Sequence, residues 1–349
     1  MENLPDRPDR PARRRRYSGR NPQSFEDKYK EHQSERYPGD IARVVDRGQT
    51  PAGMPRPIMV SEILDALQLV PGNIAVDCTL GYGGHAGEML LAIQPGGRFL
   101  GVDADPIELA KTEARLRSLV QENAFIDLRR MNFAGLTAFL AEQAPEGVDA
   151  LLADLGVSSM QLDDPARGFS FKFDGPLDMR MNPQRGQSAS DWLSKLDPAA
   201  LSSILSENSD EANAEIIAHA ILLAHAKEPL RTTLALVKVI RSSVKRLSDA
   251  EQVTTVRRVF QALRIAVNDE LRSLDAFLRQ LPYWMRKGGR IAILTFHSGE
   301  DRRVKSSFKQ GLQDGLYSYI SKEVIRASAA EQRSNGRSSS AKLRIAIRN

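Results

Sequence analysis

The chain has 349 residues, 41% of them hydrophobic, enough to build one large core or two modest ones without covalent staples. It carries 49 basic and 44 acidic residues, for a formal net charge of +5, and its single cysteine excludes an internal disulfide and any multi-cysteine metal cage. No stretch approaches the ~20 apolar residues of a membrane span, and the arginine-rich start has no apolar run behind it, so a cytoplasmic protein of a reducing compartment is expected.

The excess charge is concentrated near the two ends. Arg7, Arg10, Arg13 to Arg16 and Arg20 crowd the first segment, and Arg333, Arg337, Lys342, Arg344 and Arg348 the last. Such segments suit a polyanion, because every phosphate they neutralise releases counterions; a tail that only keeps the chain soluble is the plainer alternative. Residues 1–50 are rich in Arg, Pro, Asp and Gln and poor in aliphatics, which reads as a disordered basic N-terminal arm.

From Pro57 the pattern changes. Ile63, Leu64, Leu67 and Leu69 give a short amphipathic helix, and apolar strand runs then alternate with helical stretches, the signature of βαβ units around a parallel sheet. Strands are expected at 74–79, 98–103, 125–131 and 148–154, with helices between them at Ala86–Ile93, Pro106–Leu119 and Phe133–Ala141. Asp105 is a candidate N-cap ahead of Pro106. Residues 155–187 are irregular and rich in Gly, Pro, Asp and Met, which suggests a binding loop. Four helical patterns follow, Ala189–Leu196, Pro198–Glu207, Asp210–Lys227 and Thr232–Leu247, with no strand among them. A long helix over Arg258–Gln280 leads to strands at Arg290–Phe296 and Lys342–Ile347. The expected fold is α/β, a Rossmann-like sheet built from residues 51–165 and 257–349, with residues 166–256 inserted as an all-helical subdomain that includes the loop.

The chemistry gathers where such a sheet binds ligands, at the carboxyl ends of its strands. The turn Gly81-Tyr-Gly-Gly-His-Ala-Gly87 follows the first strand, and an acid, Asp103, ends the second. Glycines let the backbone turn sharply against a ligand, and a carboxylate at that tip accepts hydrogen bonds from ribose hydroxyls. Positions 81, 83 and 86 satisfy the dinucleotide pattern G-x-G-x-x-A, so a nicotinamide or flavin enzyme competes with one that uses S-adenosylmethionine, and a plain tight turn beside a surface acid is the third reading. Asp154, ending the fourth strand ahead of Leu-Gly-Val-Ser158-Ser159, stands where enzymes that methylate exocyclic amines orient the acceptor; capping of the next turn is the simpler role. His85 at a helix start reads as a wall of the cofactor pocket. His297, after the strand 290–296, is the candidate for proton handling, since histidine titrates near neutral pH. Cys78 reads as inert packing. No cluster has metal-ligand spacing, and there is no phosphate-binding P-loop.

Taken together, the strings Asp77-Cys-Thr-Leu-Gly-Tyr-Gly-Gly-His85, Asp154-Leu-Gly-Val-Ser-Ser159, Gln161-Leu-Asp-Asp-Pro-Ala-Arg-Gly-Phe-Ser-Phe171, Gly175-Pro-Leu-Asp-Met-Arg-Met181, Phe260-Gln-Ala-Leu-Arg-Ile-Ala-Val-Asn-Asp-Glu270, Phe296-His-Ser-Gly-Glu-Asp301 and Ser340-Ala-Lys-Leu-Arg344 closely resemble the ribosomal RNA small subunit methyltransferase H family, from about Pro57 to the C-terminus. The resemblance implies an S-adenosylmethionine-dependent enzyme that methylates the exocyclic N4 of a cytosine in the decoding region of 16S rRNA. It implies that Gly83, Gly84 and His85 border the cofactor, that Asp103 takes its ribose, that Phe133 lies beside its adenine, and that Asp154 and Gln161 close the methionine side. Asp154 with the Ser158/Ser159 loop would position the amine, and His297 would be a second candidate for its proton. The implied partner is 16S rRNA or the small ribosomal subunit, with no membrane and no metal; a homodimer is left open. The chain departs from the family pattern at Pro55-Arg-Pro-Ile-Met59, Tyr82, Thr254-Thr-Val-Arg-Arg258 and Gly336, which keeps a paralogue acting on another nucleotide, or a catalytically idle RNA binder, among the readings.

Overall fold

Seven strands form one sheet in the order β3-β2-β1-β4-β5-β7-β6 in the computed structural model, which describes residues 57–349. The basic arm expected over residues 1–50 lies outside the described residues. The strands are β1 Ile74–Asp77, β2 Arg98–Asp103, β3 Phe125–Arg130, β4 Val148–Asp154, β5 Met285–Thr295, β6 Tyr317–Ile320 and β7 Lys342–Arg348. β1 pairs in parallel with β2 and β4, as do β2 with β3 and β4 with β5; β7 runs antiparallel to both its neighbours. The sheet is therefore the expected α/β type with one reversed strand. Its order turns back between β1 and β4, and that switch point is where an open α/β sheet leaves a crevice above its strand ends.

Both faces of the sheet are covered, which is why the central strands read as continuous apolar runs rather than as alternation. Ile74 and Val76 of β1, Leu100 and Val102 of β2, Leu151 and Ala153 of β4 and Ile291 and Ile293 of β5 enter one core. Their neighbours Ala75, Phe99, Ala150, Leu152, Ala292 and Leu294 enter the other. The helices that cover them include α1 Val60–Leu67, α2 Gly84–Ala92, α3 Pro106–Ser118 and α4 Leu136–Gln143, the last preceded by a single 3₁₀ turn at Phe133–Gly135. Asp105 caps α3 as expected, its carboxylate accepting from the Ile107 amide at 2.9 Å.

After β4 come a short helix, α5 Ser159–Asp163, the irregular segment, and then α6 Ala189–Leu193, α7 Pro198–Ser209, α8 Ala214–Lys227, α9 Thr233–Ser243 and α10 Asp249–Val267. These pack around a third apolar cluster of their own, with Leu201, Leu205, Ile217, Ile221, Leu236, Ile240 and Val259 at its centre. The irregular segment folds back on itself where only glycine fits: a Cβ at Gly175 would fall on the Pro165 carbonyl.

Several elements differ from the sequence reading, two of them for a clear physical reason. The single helix expected over Arg258–Gln280 is two helices, α10 and α11 Glu270–Trp284, broken at Asn268 and at Asp269, whose φ is +52°. The apolar periodicity runs on through the break and hides it. α10 also begins earlier than expected, behind a capping box of Ser248 and Glu251 that is readable in the sequence. The second difference is β6, a four-residue edge strand with two exposed residues, too short and too polar to stand out. It follows α12 Ser298–Gln313, and α13 Ala329–Ser334 precedes β7.

The break has a job in the architecture. Asn268 Nδ2 donates to the carbonyls of Met179 (2.7 Å) and Arg264 (2.9 Å), and its Oδ1 accepts from the Met181 amide (2.7 Å), so one amide side chain ties the irregular segment to the α10–α11 corner. Asn268→Ala leaves those backbone groups without partners and is expected to destabilise the protein by about 1–3 kcal/mol and to speed proteolysis within residues 170–187. Urea unfolding with limited proteolysis checks this, and wild-type values for both would refute it.

Candidate active site

The turn after β1 is built around the Asp103 carboxylate. Oδ2 accepts from the Gly81 amide and Oδ1 from the Asp105 amide, each at 2.7 Å, while Thr112 Oγ1 donates to the Gly81 carbonyl at 2.8 Å. Gly83, at φ +85°, sits where a Cβ would meet Thr112 Cγ2 at 2.7 Å, so the glycine is required both by conformation and by space.

Acids converge at the switch point. Asp77 ends β1 almost fully buried and accepts from the Thr79 amide at 2.9 Å; Thr79 Oγ1 in turn accepts from the Asp154 amide at 2.6 Å, stitching the ends of β1 and β4 together. Burial lifts the Asp77 carboxyl to about 6, against the pull of the Thr79 amide. Asp154 is lifted to about 7, by burial first and by the negative charge of Glu300 second. Its Oδ1 is enclosed with no hydrogen-bond partner, although 28% of the side-chain surface remains exposed. Cys78, next to Asp77 in the chain, is buried, with its thiol pushed up by burial and by Asp77.

The two histidines differ sharply. His85, in the first turn of α2 and buried, holds the Ile58 carbonyl through Nε2 at 2.8 Å and brings Nδ1 to 3.5 Å from Asp154 Oδ2. Burial lowers its affinity for a proton, with Asp77, Glu331 and Glu88 opposing that trend. His297, between β5 and α12, has both ring nitrogens buried without hydrogen-bond partners; Nε2 is 3.2 Å from Glu300 Oε1 but out of alignment for a hydrogen bond. Glu300 is fastened by the Phe296 amide at 2.9 Å. Burial raises its carboxyl, and the His297 contact and the Arg264 charge outweigh that to leave it below its usual value.

Ser158 and Gln161 form a reciprocal capping box on α5: Ser158 Oγ accepts from the Gln161 amide, and Gln161 Oε1 accepts from the Ser158 amide. Ser159 opens the helix. Gln161 Nε2 donates to Asp105 Oδ2 at 2.8 Å, and Arg167 Nη1 reaches the same oxygen at 2.8 Å while Nη2 holds the Arg180 and Met181 carbonyls. This buried junction fastens the irregular segment to the tip of β2. Phe133 stacks edge-on against Phe277, with centroids 5.2 Å apart.

A cavity of about 230 Å³ opens beside the β2 and β3 tips, lined by Ala104, Arg130, Met131 and Asn132 on one side and by Arg180, Met181, Asn182, Arg185 and Asn268 on the other. A larger and more open hollow, about 580 Å³, lies between α7 and α8 and contains none of the residues above.

Sequence reasoning picked out the glycine turn, Asp103, Asp154, His85 and His297, and the structure brings His85 against Asp154. It missed Asp77, Thr79, Glu300, Asp105 as more than a cap, and Arg167. Polar residues at the ends of apolar strands were the available signal for the first two; the buried Asp105–Arg167 pair joins distant segments and had none.

The MraW methylase family matches residues 54–349. A relative from Lachnoclostridium phytofermentans named ribosomal RNA small subunit methyltransferase H 1 is 46% identical, covering 96% of this chain and 93% of its own. One from Alkaliphilus metalliredigens, named H 2, is 45% identical, covering 96% and 97%. A third, from Geobacter sp., named H without a number, is 40% identical and covers 82% and 96%. The first two alignments cannot reach that share without residues ahead of Pro57. The resemblance read from the motifs is borne out.

Raised carboxyl values make stability depend on pH. An acid at 3.8 unfolded and about 7 folded is protonated longer in the folded state, so stability falls as pH rises between those values and then levels off. Asp154→Asn is expected to be more stable than wild type above pH 7, by an amount on the order of a few kcal/mol, with the gap closing toward pH 4. Asp77 maintains a shallower slope up to about pH 6. Thermal midpoints across this range check it; parallel curves for the two proteins would contradict it.

Proposed function

Because the chain belongs to the MraW methylase family, we propose that it methylates the small ribosomal subunit, moving the methyl group of S-adenosylmethionine to the exocyclic N4 of a cytosine in the decoding region of 16S rRNA. The observation that carries this reading is the crowd of acids at the switch point, Asp77, Asp103, Asp154 and Glu300. Such a rim repels the pyrophosphate of a dinucleotide and suits a cation. When bound, S-adenosylmethionine supplies an electrophilic methyl group on a positively charged sulfonium.

The residues present fit that donor. Asp154 Oδ1 is an orphaned buried acceptor, and Asp103 ends β2 beside a glycine turn that admits close approach. In this reading Gly83, Gly84 and His85 border the donor, Asp103 takes its ribose, Phe133 flanks the adenine, and Asp154 and Gln161 close the methionine side. An exocyclic cytosine amine is a poor nucleophile, so the protein has to align it and take its proton. Asp154 Oδ1 accepts the amine N–H, Ser158 and Ser159 border the acceptor, and His297 offers a second polar contact to the base. The base leaves its stack to get there, and the irregular segment, fastened by Arg167 and Asn268, encloses it.

The same reading takes residues 51–165 and 257–349 as the methyltransferase domain and residues 166–256 as the insert that meets RNA, with the basic arm adding salt-sensitive affinity. Its place is the cytoplasm, where ribosomes are; among the described residues no helix is long and apolar enough to cross a membrane. A second reading, a paralogue for another RNA nucleotide, draws on the departures from the family pattern at Tyr82, Thr254-Thr-Val-Arg-Arg258 and Gly336.

The test is methyl transfer from labelled S-adenosylmethionine to small-subunit rRNA, with the modified nucleoside identified by mass spectrometry. N4-methylcytidine is expected, and label on another nucleoside would select the paralogue. Asp103→Ala is expected to weaken donor binding about tenfold or more, the loss of one or two hydrogen bonds, without unfolding the chain. Unchanged affinity by calorimetry would remove the ribose assignment.

A further inference from the structure

His85 does more than border a pocket. A carbonyl oxygen only accepts, so the 2.8 Å contact with Ile58 fixes the ring proton on Nε2 and leaves Nδ1 as a lone pair. Nδ1 stands 3.5 Å from Asp154 Oδ2, in contact range without a hydrogen bond. On the other side of the same carboxyl, Oδ1 is enclosed and has no partner. The group thus has one oxygen beside a base and one enclosed without a partner.

We propose that His85 is the final store for the proton released in methyl transfer, reached through Asp154, and so is a positioning residue for the reaction rather than only a wall. The inference rests on the methyltransferase reading above. The balance is as follows. The carboxyl starts with its proton on Oδ2, the oxygen nearer His85 Nδ1. As the amine nitrogen bonds to the methyl carbon, the sulfur–carbon bond breaks with its electron pair left on sulfur, and the nitrogen's proton passes to Oδ1. The Oδ2 proton passes to Nδ1. Asp154 ends neutral, as it began, and the positive charge that the sulfonium loses appears as an imidazolium. After product release the imidazolium returns a proton through Asp154, whose side chain is 28% exposed.

Burial works against that transient cation, and the acids around it work for it. Asp77 at the end of β1, Glu331 on α13 and Glu88 on α2 itself all act to hold a proton on His85, and Glu331 is pinned nearby by the Met59 amide at 2.9 Å. Glu300 on α12 faces Asp154 and favours its protonated form, and the Tyr82 hydroxyl feels the Asp154 charge from the glycine turn. Arg115 on α3 is the cation on this side, 5.8 Å from the centre of the Tyr82 ring. His297 stands instead against Glu300, with Nε2 3.2 Å from Oε1.

The experiment uses the full chain and two readouts. In the first, His85→Gln and His85→Asn are assayed with S-adenosylmethionine and small-subunit rRNA; kcat is expected to fall about 100-fold, the scale of a lost proton acceptor, with the KM for the donor within threefold and the acidic limb of the pH profile displaced to lower pH. In the second, nitrogen-15 NMR of labelled imidazoles in the protein alone is expected to show His85 with its proton on Nε2 and an Nδ1 signal that shifts on Asp154→Asn. Unchanged kcat, or a loss of donor binding that accounts for the whole defect, would overturn the proposal. If the wild type transfers no methyl group, the functional reading falls and the NMR still decides this one: an Nδ1 signal indifferent to Asp154→Asn refutes the coupling. If one variant fails to fold, the other, with the wild-type spectrum, supplies the same comparison.

Discussion

Carboxyl groups drawn out of water at the ends of β1 and β4, with a third on α12, are the constraint on which the rest of the structure depends. Asp77, Asp154 and Glu300 repel one another in a low-dielectric corner, and the fold responds in three ways. Thr79 satisfies backbone and side chain at once, Glu300 is held by the Phe296 amide and the Arg264 charge, and Asp154 remains poised near neutrality with one oxygen unused. A corner of this kind is costly to stability and is kept where something positive binds. The same feature separates a sulfonium donor from a dinucleotide, which the glycine pattern alone could not do.

The irregular segment after β4 is held as firmly as a core element, although it has little regular structure. Arg167 and Gln161 converge on one oxygen of Asp105, and Asn268 fills the break between α10 and α11 to bond Met179 and Met181. A buried pair such as Arg167–Asp105 adds little net stability, but losing either partner strands the other. Its contribution is to placement: it sets the segment beside the tips of β2 and β3, where the 230 Å³ cavity opens.

How much of this could be read in the sequence depends on distance along the chain. The sheet strands were legible because both faces are buried, and Asp103 and Asp154 because each ends an apolar run. Asp105 was legible as a cap, through Pro106. The α10–α11 break was not, because apolar residues keep their helical spacing through Asn268 and only tertiary bonds show that the helix stops. β6 was too short and too exposed. The partnership of His85 with Asp154, and of Asp105 with Arg167, exists only once the chain is folded, since neither member differs from an ordinary polar residue beside its neighbours in sequence.

The most direct measurement is a crystal structure of the protein with sinefungin, the amine analogue of S-adenosylmethionine. The account predicts the analogue at the β1–β4 switch point, with its ribose hydroxyls on Asp103 and its charged amine turned toward Asp154. A fully occupied analogue elsewhere, or a switch point that excludes it while the protein remains folded, would contradict the account.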